Sequence, residues 1–176
     1  MTKQTSSLQT IFLIAITCVL MGGFIGAVTN MINGAVSPYY FKTTMNWGFQ
    51  EIWIASVAQG ILEGLFHGVL FALIFTTGFG LITKGKADYA FAFKHILRVA
   101  IIVMACWTIG GLLAVMLVRL SPEFYRSHFP WTPTDVIGQM KYAWVGGSIW
   151  GEIIGGFLGS LIGLVTVKNN WENKVK

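Results

Sequence analysis

The chain has 176 residues, of which 55% are hydrophobic and only 11% are charged, and its formal net charge is +5. Because soluble domains carry about 25% charged residues, this composition excludes an ordinary soluble domain and predicts that lipid covers part of the surface. The basic residues are scattered between apolar runs, so topology-setting charge is favoured over nucleic-acid binding. The length allows a single transmembrane domain, residues 1–176, and no sizeable soluble domain.

Four stretches of the chain are long and apolar enough to cross a bilayer as helices, which takes about 20 mostly apolar residues. In chain order they are about residues 8–33, 52–83, 96–118 and 143–167. The first is longer than the apolar core of a typical signal peptide and has no obvious cleavage site, so we interpret it as a retained anchor. The sequence therefore predicts an all-α membrane protein with four transmembrane helices.

Lysine and arginine flank the four predicted spans unevenly. The side that holds both termini carries Lys3, Lys84, Lys86, Lys94, Arg98, Lys168, Lys174 and Lys176. The opposite side carries Lys42, Arg119, Arg126 and Lys141. Since cytoplasmic segments are enriched in these residues, we expect both termini in the cytoplasm and the protein in the inner membrane of a bacterial cell.

The two outer loops are rich in aromatic side chains, which favour the headgroup region of a membrane. The first loop holds Tyr39, Tyr40, Phe41, Trp47, Phe49 and Trp53, and the second holds Phe124, Tyr125, Phe129, Trp131, Tyr142 and Trp144. We expect short amphipathic surface segments, with an aromatic ligand platform as the alternative. On the inner side, residues 84–94 form a short connection in which alternating aromatic residues are expected to lie against the membrane.

The two halves of the chain share a sequence pattern. A shift of 84 residues places Ser37-Pro38 on Ser121-Pro122 and Trp47 on Trp131, and a shift of 87 places the glycines of the second span on those of the fourth. Each Ser-Pro pair is typical of a helix start, so we expect it to end one span and begin a surface helix. The pattern predicts two parallel two-helix repeats, about residues 8–83 and 95–167, related by a pseudo-two-fold axis along the membrane normal.

Glycines recur every four residues on the second and fourth spans. The second span carries Gly60, Gly64 and Gly68, and the fourth carries Gly147, Gly151, Gly155, Gly159 and Gly163. Such stripes let helix backbones approach closely in lipid, where the hydrophobic effect gives little drive for association. The simplest prediction packs these two stripes against each other at the pseudo-two-fold axis, and the alternative is that they face another subunit.

A few polar residues lie inside the predicted spans, where an ionisable group is costly and is a functional candidate. They are Glu63, His67 and Glu152, with Thr29, Asn30, Asn33 and Gln59 at similar depth. They could bind a proton or cation in a transport pathway, hold the bundle together through hydrogen bonds, or ligate a metal. The Glu-x-x-His spacing of di-iron bundles does not occur in the sequence.

The leading functional hypothesis is a small channel, transporter or translocation subunit that acts as a homo-oligomer and has a protonatable site within the membrane. An accessory subunit of a larger membrane complex, with no transport of its own, is the alternative. A membrane enzyme ranks third, and no serine-histidine-acid set can be argued. The expected partners are the lipid bilayer and other membrane subunits. The sequence points to no particular cofactor.

Overall fold

Six helices form the protein in the computed structural model, which describes residues 7–48 and 50–175. They are α1 (Ser7–Val36), α2 (Pro38–Thr44), α3 (Ile52–Thr83), α4 (Tyr89–Leu120), α5 (Pro122–His128) and α6 (Val136–Val175). The helices α1, α3, α4 and α6 are each long and apolar enough to cross a membrane. The prediction of an all-helical chain with four such helices is therefore confirmed. Lys3, Phe49 and Lys176, which belong to the charge and aromatic patterns, lie outside the described residues.

The short helices α2 and α5 begin at the two Ser-Pro pairs, as predicted. The Ser37 side chain accepts a hydrogen bond from the Tyr40 backbone N–H at 3.3 Å, and Ser121 accepts one from Phe124 at 3.4 Å. In both helices the proline occupies the first turn, where its missing N–H is not needed. Each serine therefore has two roles. Its backbone N–H makes the last hydrogen bond of a long helix, and its side chain caps the short helix that follows.

The helices α4 and α6 extend beyond the apolar stretches that predict them. The Asp88 side chain accepts a hydrogen bond from the Phe91 backbone N–H at 2.7 Å, so α4 begins at Tyr89 and not within the apolar run. The helix therefore starts within the stretch 84–94 that the sequence assigns to a connection, about seven residues before the predicted span, because a capping carboxylate starts it earlier. Asp135 likewise accepts a hydrogen bond from the Gly138 N–H at the start of α6.

The long helices form two closely packed pairs, α1 with α3 and α4 with α6. In the first pair, a Cβ atom added to Gly26 would meet the Gly60 carbonyl group and the Cα atom of Gly64 at 3.1 Å. The expectation that the glycines of α3 pack against those of α6 is wrong. A glycine stripe shows which face of a helix can approach another backbone, but not which helix it meets. Here α1 meets the stripe of α3, and α4 meets the stripe of α6.

The fourth helix makes the corresponding contact with α4. A Cβ atom at Gly110 would meet the Gly147 carbonyl oxygen and the Gly151 Cα atom at 2.9 Å. Further along α6, the added atoms at Gly159 and Gly163 would meet the side chain of Val99. The glycines therefore lie along the contact inside each pair of helices.

The two pairs meet in an apolar cluster towards the end of the molecule that holds the α3–α4 connection. Ile14, Phe75, Ile96 and Val167 are buried there, one from each long helix. Large apolar side chains stay exposed along the outer faces of the same helices, among them Phe24, Leu73, Leu113 and Leu161. Because apolar helix faces of this extent are costly in water, the arrangement implies contact with a lipid bilayer.

Candidate functional site

A cleft of about 450 Å³ lies between the first pair of helices, α1 and α3, and the helix α6 of the second pair. Its polar lining comes from three helices: Thr29 and Asn30 of α1, Glu63 and His67 of α3, and Glu152 of α6. Of the residues proposed from the sequence, the structure thus brings Asn30, Glu63, His67 and Glu152 to one surface. Glu63 and His67 are one turn apart on α3, but Asn30 and Glu152 are distant from them in sequence, and only helix packing places all four together.

The cleft is near the middle of the helices that carry its ionisable groups. His67 lies at the centre of α3, which has 32 residues, and Glu152 lies close to the centre of α6, which has 40 residues. At 1.5 Å per residue α3 is about 48 Å long, whereas the hydrocarbon core of a bilayer is about 30 Å thick. If α3 crosses the bilayer centrally, both His67 and Glu63, one turn away, fall within the hydrocarbon depth.

Glu63 has a hydrogen-bonding neighbour on its own helix. The Gln59 Nε2 atom donates to Glu63 Oε1 at 2.6 Å, and the two residues are four positions apart, on the same face of α3. Gln59 does not line the cleft but orients the carboxylate that does. Both Glu63 and His67 are exposed in the single chain, so these groups remain accessible from the cleft.

Glu152 lies on the opposite wall, half-buried beside α1. Its carboxyl group lines the same cleft as the Thr29 hydroxyl and the Glu63 carboxylate. The Thr29 hydroxyl donates a hydrogen bond shared between two carbonyl oxygens of its own helix, that of Ile25 at 3.0 Å and that of Gly26 at 3.2 Å. Thr29 therefore donates to the backbone of its own helix while it lines the same cleft as Glu152.

Asn33 does not belong to the cleft, although the sequence groups it with the other candidates. Its side chain is fully buried, and its Oδ1 atom accepts a hydrogen bond from Ser148 Oγ at 3.1 Å. Its Nδ2 atom has no hydrogen-bond partner among the described residues. Asn33 and Ser148 connect α1 with α6. Ser148 is not among the residues expected from the sequence, where its only signal is a hydroxyl group one turn before Glu152.

A cluster of tyrosines joins the short helices α2 and α5 to α6. The rings of Tyr40 and Tyr142 are 4.9 Å apart, and the Tyr142 hydroxyl shares a 2.8 Å hydrogen bond with Thr44. Burial raises the pKa of Tyr40 to about 12, and the neighbouring Tyr142 and Glu63 add to the effect. Tyr40 is therefore a neutral phenol at physiological pH and can serve the cluster only as a hydrogen-bonding group.

Within the described part of the chain, the cleft is lined by acidic groups and a histidine, without a basic residue to balance the acids. No lysine or arginine of residues 7–48 and 50–175 lines it, and its two carboxylates take part in no salt bridge within those residues. No group of three His, Cys, Asp or Glu side chains in the same part of the chain is arranged to hold a metal ion. The arrangement can therefore accept protons or a positively charged group, because carboxylates and an imidazole are its only ionisable lining.

No protein-family model matches the chain, and no curated protein or solved structure matches it at a significant level.

Proposed function

We propose that this chain is a small membrane transport subunit with a protonatable site formed by Glu63, His67 and Glu152. The observation that carries the proposal is that carboxylates from the two pairs of helices line one cleft that has no basic residue. Two carboxylates that influence each other do not readily carry full charge together in a medium of low dielectric constant. Uptake of a proton or cation would relieve that repulsion, and release would restore it.

Thr29 can stabilise Glu152 in both protonation states. When Glu152 is charged, the Thr29 hydroxyl can turn its single hydrogen towards the carboxylate. When Glu152 is protonated, the carboxyl group can donate to the Thr29 oxygen, and the hydroxyl hydrogen can return to the Ile25 carbonyl, 3.0 Å away. The same pair of residues thus accommodates gain and loss of a proton without leaving a buried donor unpaired.

We also propose that the two pairs of helices are parallel repeats related by a pseudo-two-fold axis along the membrane normal. Gly26 meets Gly60 and Gly64 in the first pair, and Gly110 meets Gly147 and Gly151 in the second. These contacts correspond under the same shifts of 84 and 87 residues that relate the two halves of the sequence. The cleft would then lie beside this axis, where both repeats contribute an acid.

A homo-oligomer in the inner membrane of a bacterial cell, with both termini in the cytoplasm, is the assembly we favour. Glu63 and His67 are exposed in the single chain although they lie near the middle of α3. Exposure of such groups to lipid is costly, and a second copy that covers the mouth of the cleft would remove that cost. The excess of lysine and arginine on the side of the termini supports the orientation.

The proposal is tested by proton flux into liposomes that contain the purified protein and a trapped pH-sensitive dye. Glu63→Gln and Glu152→Gln should each abolish flux, because an amide cannot exchange a proton at neutral pH. Glu51→Gln is the matched control, since Glu51 is an exposed acid at the start of α3 whose side chain makes no capping hydrogen bond. It should retain the flux of the unaltered protein.

The same variants distinguish transport from a purely structural role. If the two glutamates only hold the bundle together, both substitutions to glutamine should lower the thermal stability and leave any flux of the folded fraction unchanged. If the protein is an accessory subunit, it should show no flux alone and should co-purify with other membrane proteins in a fixed stoichiometry. Either result would contradict the proposal.

A further inference from the structure

The polar cleft continues into an apolar chamber of about 140 Å³. The chamber is bounded by side chains from all four long helices, including Met21, Ile74, Val99, Val103 and Phe157. Four residues line both spaces: Gly64, His67, Glu152 and Ile153. The carboxyl group of Glu152 therefore lies at the boundary between a charged compartment and an apolar one.

An unpartnered amide lines the polar compartment. Asn30 is only 5% exposed and lines the cleft, yet its side chain makes no hydrogen bond to any residue in the described part of the chain. A Cβ atom on the facing Gly60 would approach the Asn30 Cβ at 2.6 Å, so the adjacent helix backbone holds Asn30 in place. Because its amide lines the cleft, it offers both a donor and an acceptor to a bound molecule.

We infer that the cleft binds an organic cation that consists of an ammonium group with an apolar arm. The ammonium group would lie between Glu63 and Glu152 and donate a hydrogen bond to the side-chain oxygen of Asn30, Oδ1. The apolar arm would enter the apolar chamber. This inference rests on the proposed function, for which it names the class of substrate.

The charge of the lining decides against other amphiphiles. Two carboxylates without a nearby lysine or arginine repel a phosphate or carboxylate headgroup, which argues against phospholipids and fatty acids. A neutral alcohol with the same arm would gain no charge pairing from Glu63 or Glu152. The cleft volume also falls within the range of about 300–1,000 Å³ found for sites of small molecules.

Gly156 allows the apolar chamber to be filled without disturbing the helix contacts. It lines the chamber, and a Cβ atom added there would meet nothing within 4 Å. The side chain in Gly156→Leu should therefore occupy the space of the arm. Gly80→Leu is the matched control, because Gly80 lies outside both compartments and its added Cβ would meet only the end of Ile11, at 3.9 Å.

The probes are methylammonium, hexylammonium and neutral hexanol, titrated calorimetrically into the protein in detergent, with empty micelles as the blank. Each buried methylene should tighten binding by up to about four-fold, so hexylammonium should bind at least about ten-fold more tightly than methylammonium. In Gly156→Leu the affinities for hexylammonium and methylammonium should become nearly equal, whereas Gly80→Leu should keep the difference between them. Glu152→Gln should weaken the binding of both ammonium ions by at least about ten-fold, without changing the binding of hexanol.

The inference is overturned if hexanol binds as tightly as hexylammonium, or if the binding ratio is unchanged in Gly156→Leu. Loss of proton flux in Glu152→Gln together with either of those results would overturn the inference and leave the proposed function standing. Selective hexylammonium binding by a protein that shows no flux would overturn the proposed transport and leave the binding site standing. The two ideas therefore fail in different measurements.

Discussion

Replacing Gly26 by alanine should push α1 and α3 apart. The added Cβ atom would meet the Gly60 carbonyl carbon at 2.9 Å and the Gly64 Cα atom at 3.1 Å. Both are backbone atoms of α3, so no side chain can rotate away to make room. Because carbon atoms pack at about 3.5–4.0 Å, the two helices must separate by roughly 0.5–1 Å at this point.

The size of the effect follows from two opposing terms. A radial gap of about 0.5–1 Å already forfeits a quarter to a half of the dispersion energy of each contact along the seam, and overpacking typically costs about 1–3 kcal/mol. Alanine is favoured over glycine inside a helix by up to about 1 kcal/mol, which partly offsets that loss. Gly156→Ala receives the same helical gain without a clash, since its Cβ meets nothing within 4 Å.

The comparison of these two variants isolates the packing term. Each would be unfolded in mild-detergent micelles by adding sodium dodecyl sulfate, and helix content would be followed by circular dichroism. We expect Gly26→Ala to unfold at a lower fraction of the denaturing detergent and to be less stable than Gly156→Ala by about 1–3 kcal/mol. Equal stability of the two variants would refute the close approach of α1 and α3.

Three other predictions concern the caps, the buried polar pair and the surface tyrosines. Asp88→Ala should lower the stability by about 0.5–2 kcal/mol through loss of the α4 cap, measured by thermal unfolding, and an unchanged midpoint would contradict the capping role. A double-mutant cycle of Asn33→Ala and Ser148→Ala should give a coupling of about 0.5–1.5 kcal/mol in the same assay, and zero coupling would mean that the bond between them contributes nothing. Burial raises the pKa of Tyr125 to about 12, so the phenolate absorbance that appears near that pH should decrease in Tyr125→Phe, with Tyr40 contributing the remainder; stability should fall as the pH rises from about 10 towards 12, because the unfolded chain loses this proton first.

Local signals in the sequence predicted the helical elements well where the chemistry is confined to a few neighbouring residues. Ser37-Pro38 and Ser121-Pro122 contain both the cap and the first-turn proline, so α2 and α5 could be placed without knowledge of the fold. The start of α4 was placed too late, because the aromatic residues after Asp88 do not resemble an apolar span. Their helical state depends on the cap and on the packing of Phe91 against Trp171, whose rings are 5.8 Å apart.

The partners of the glycine stripes could not be predicted in the same way. Periodicity shows that Gly60, Gly64 and Gly68 share one face of α3, but it contains no information about the helix that meets that face. The same limit applies to the candidate site. The cost of an ionisable group in lipid singled out Glu63, His67 and Glu152, but it could not show that Asn33 turns away from them towards Ser148.

The amino-acid sequence by itself determined four apolar helices, the caps of the short helices α2 and α5, and the short list of polar groups within the apolar helices, because each depends on composition or on spacing within a few turns. Only the tertiary structure decided that α1 packs on α3 and α4 on α6, and that one cleft is lined by an acid from each pair. The physical reason is that backbone approach in lipid depends on which small residues face each other across two helices. That correspondence exists only once the helices have packed.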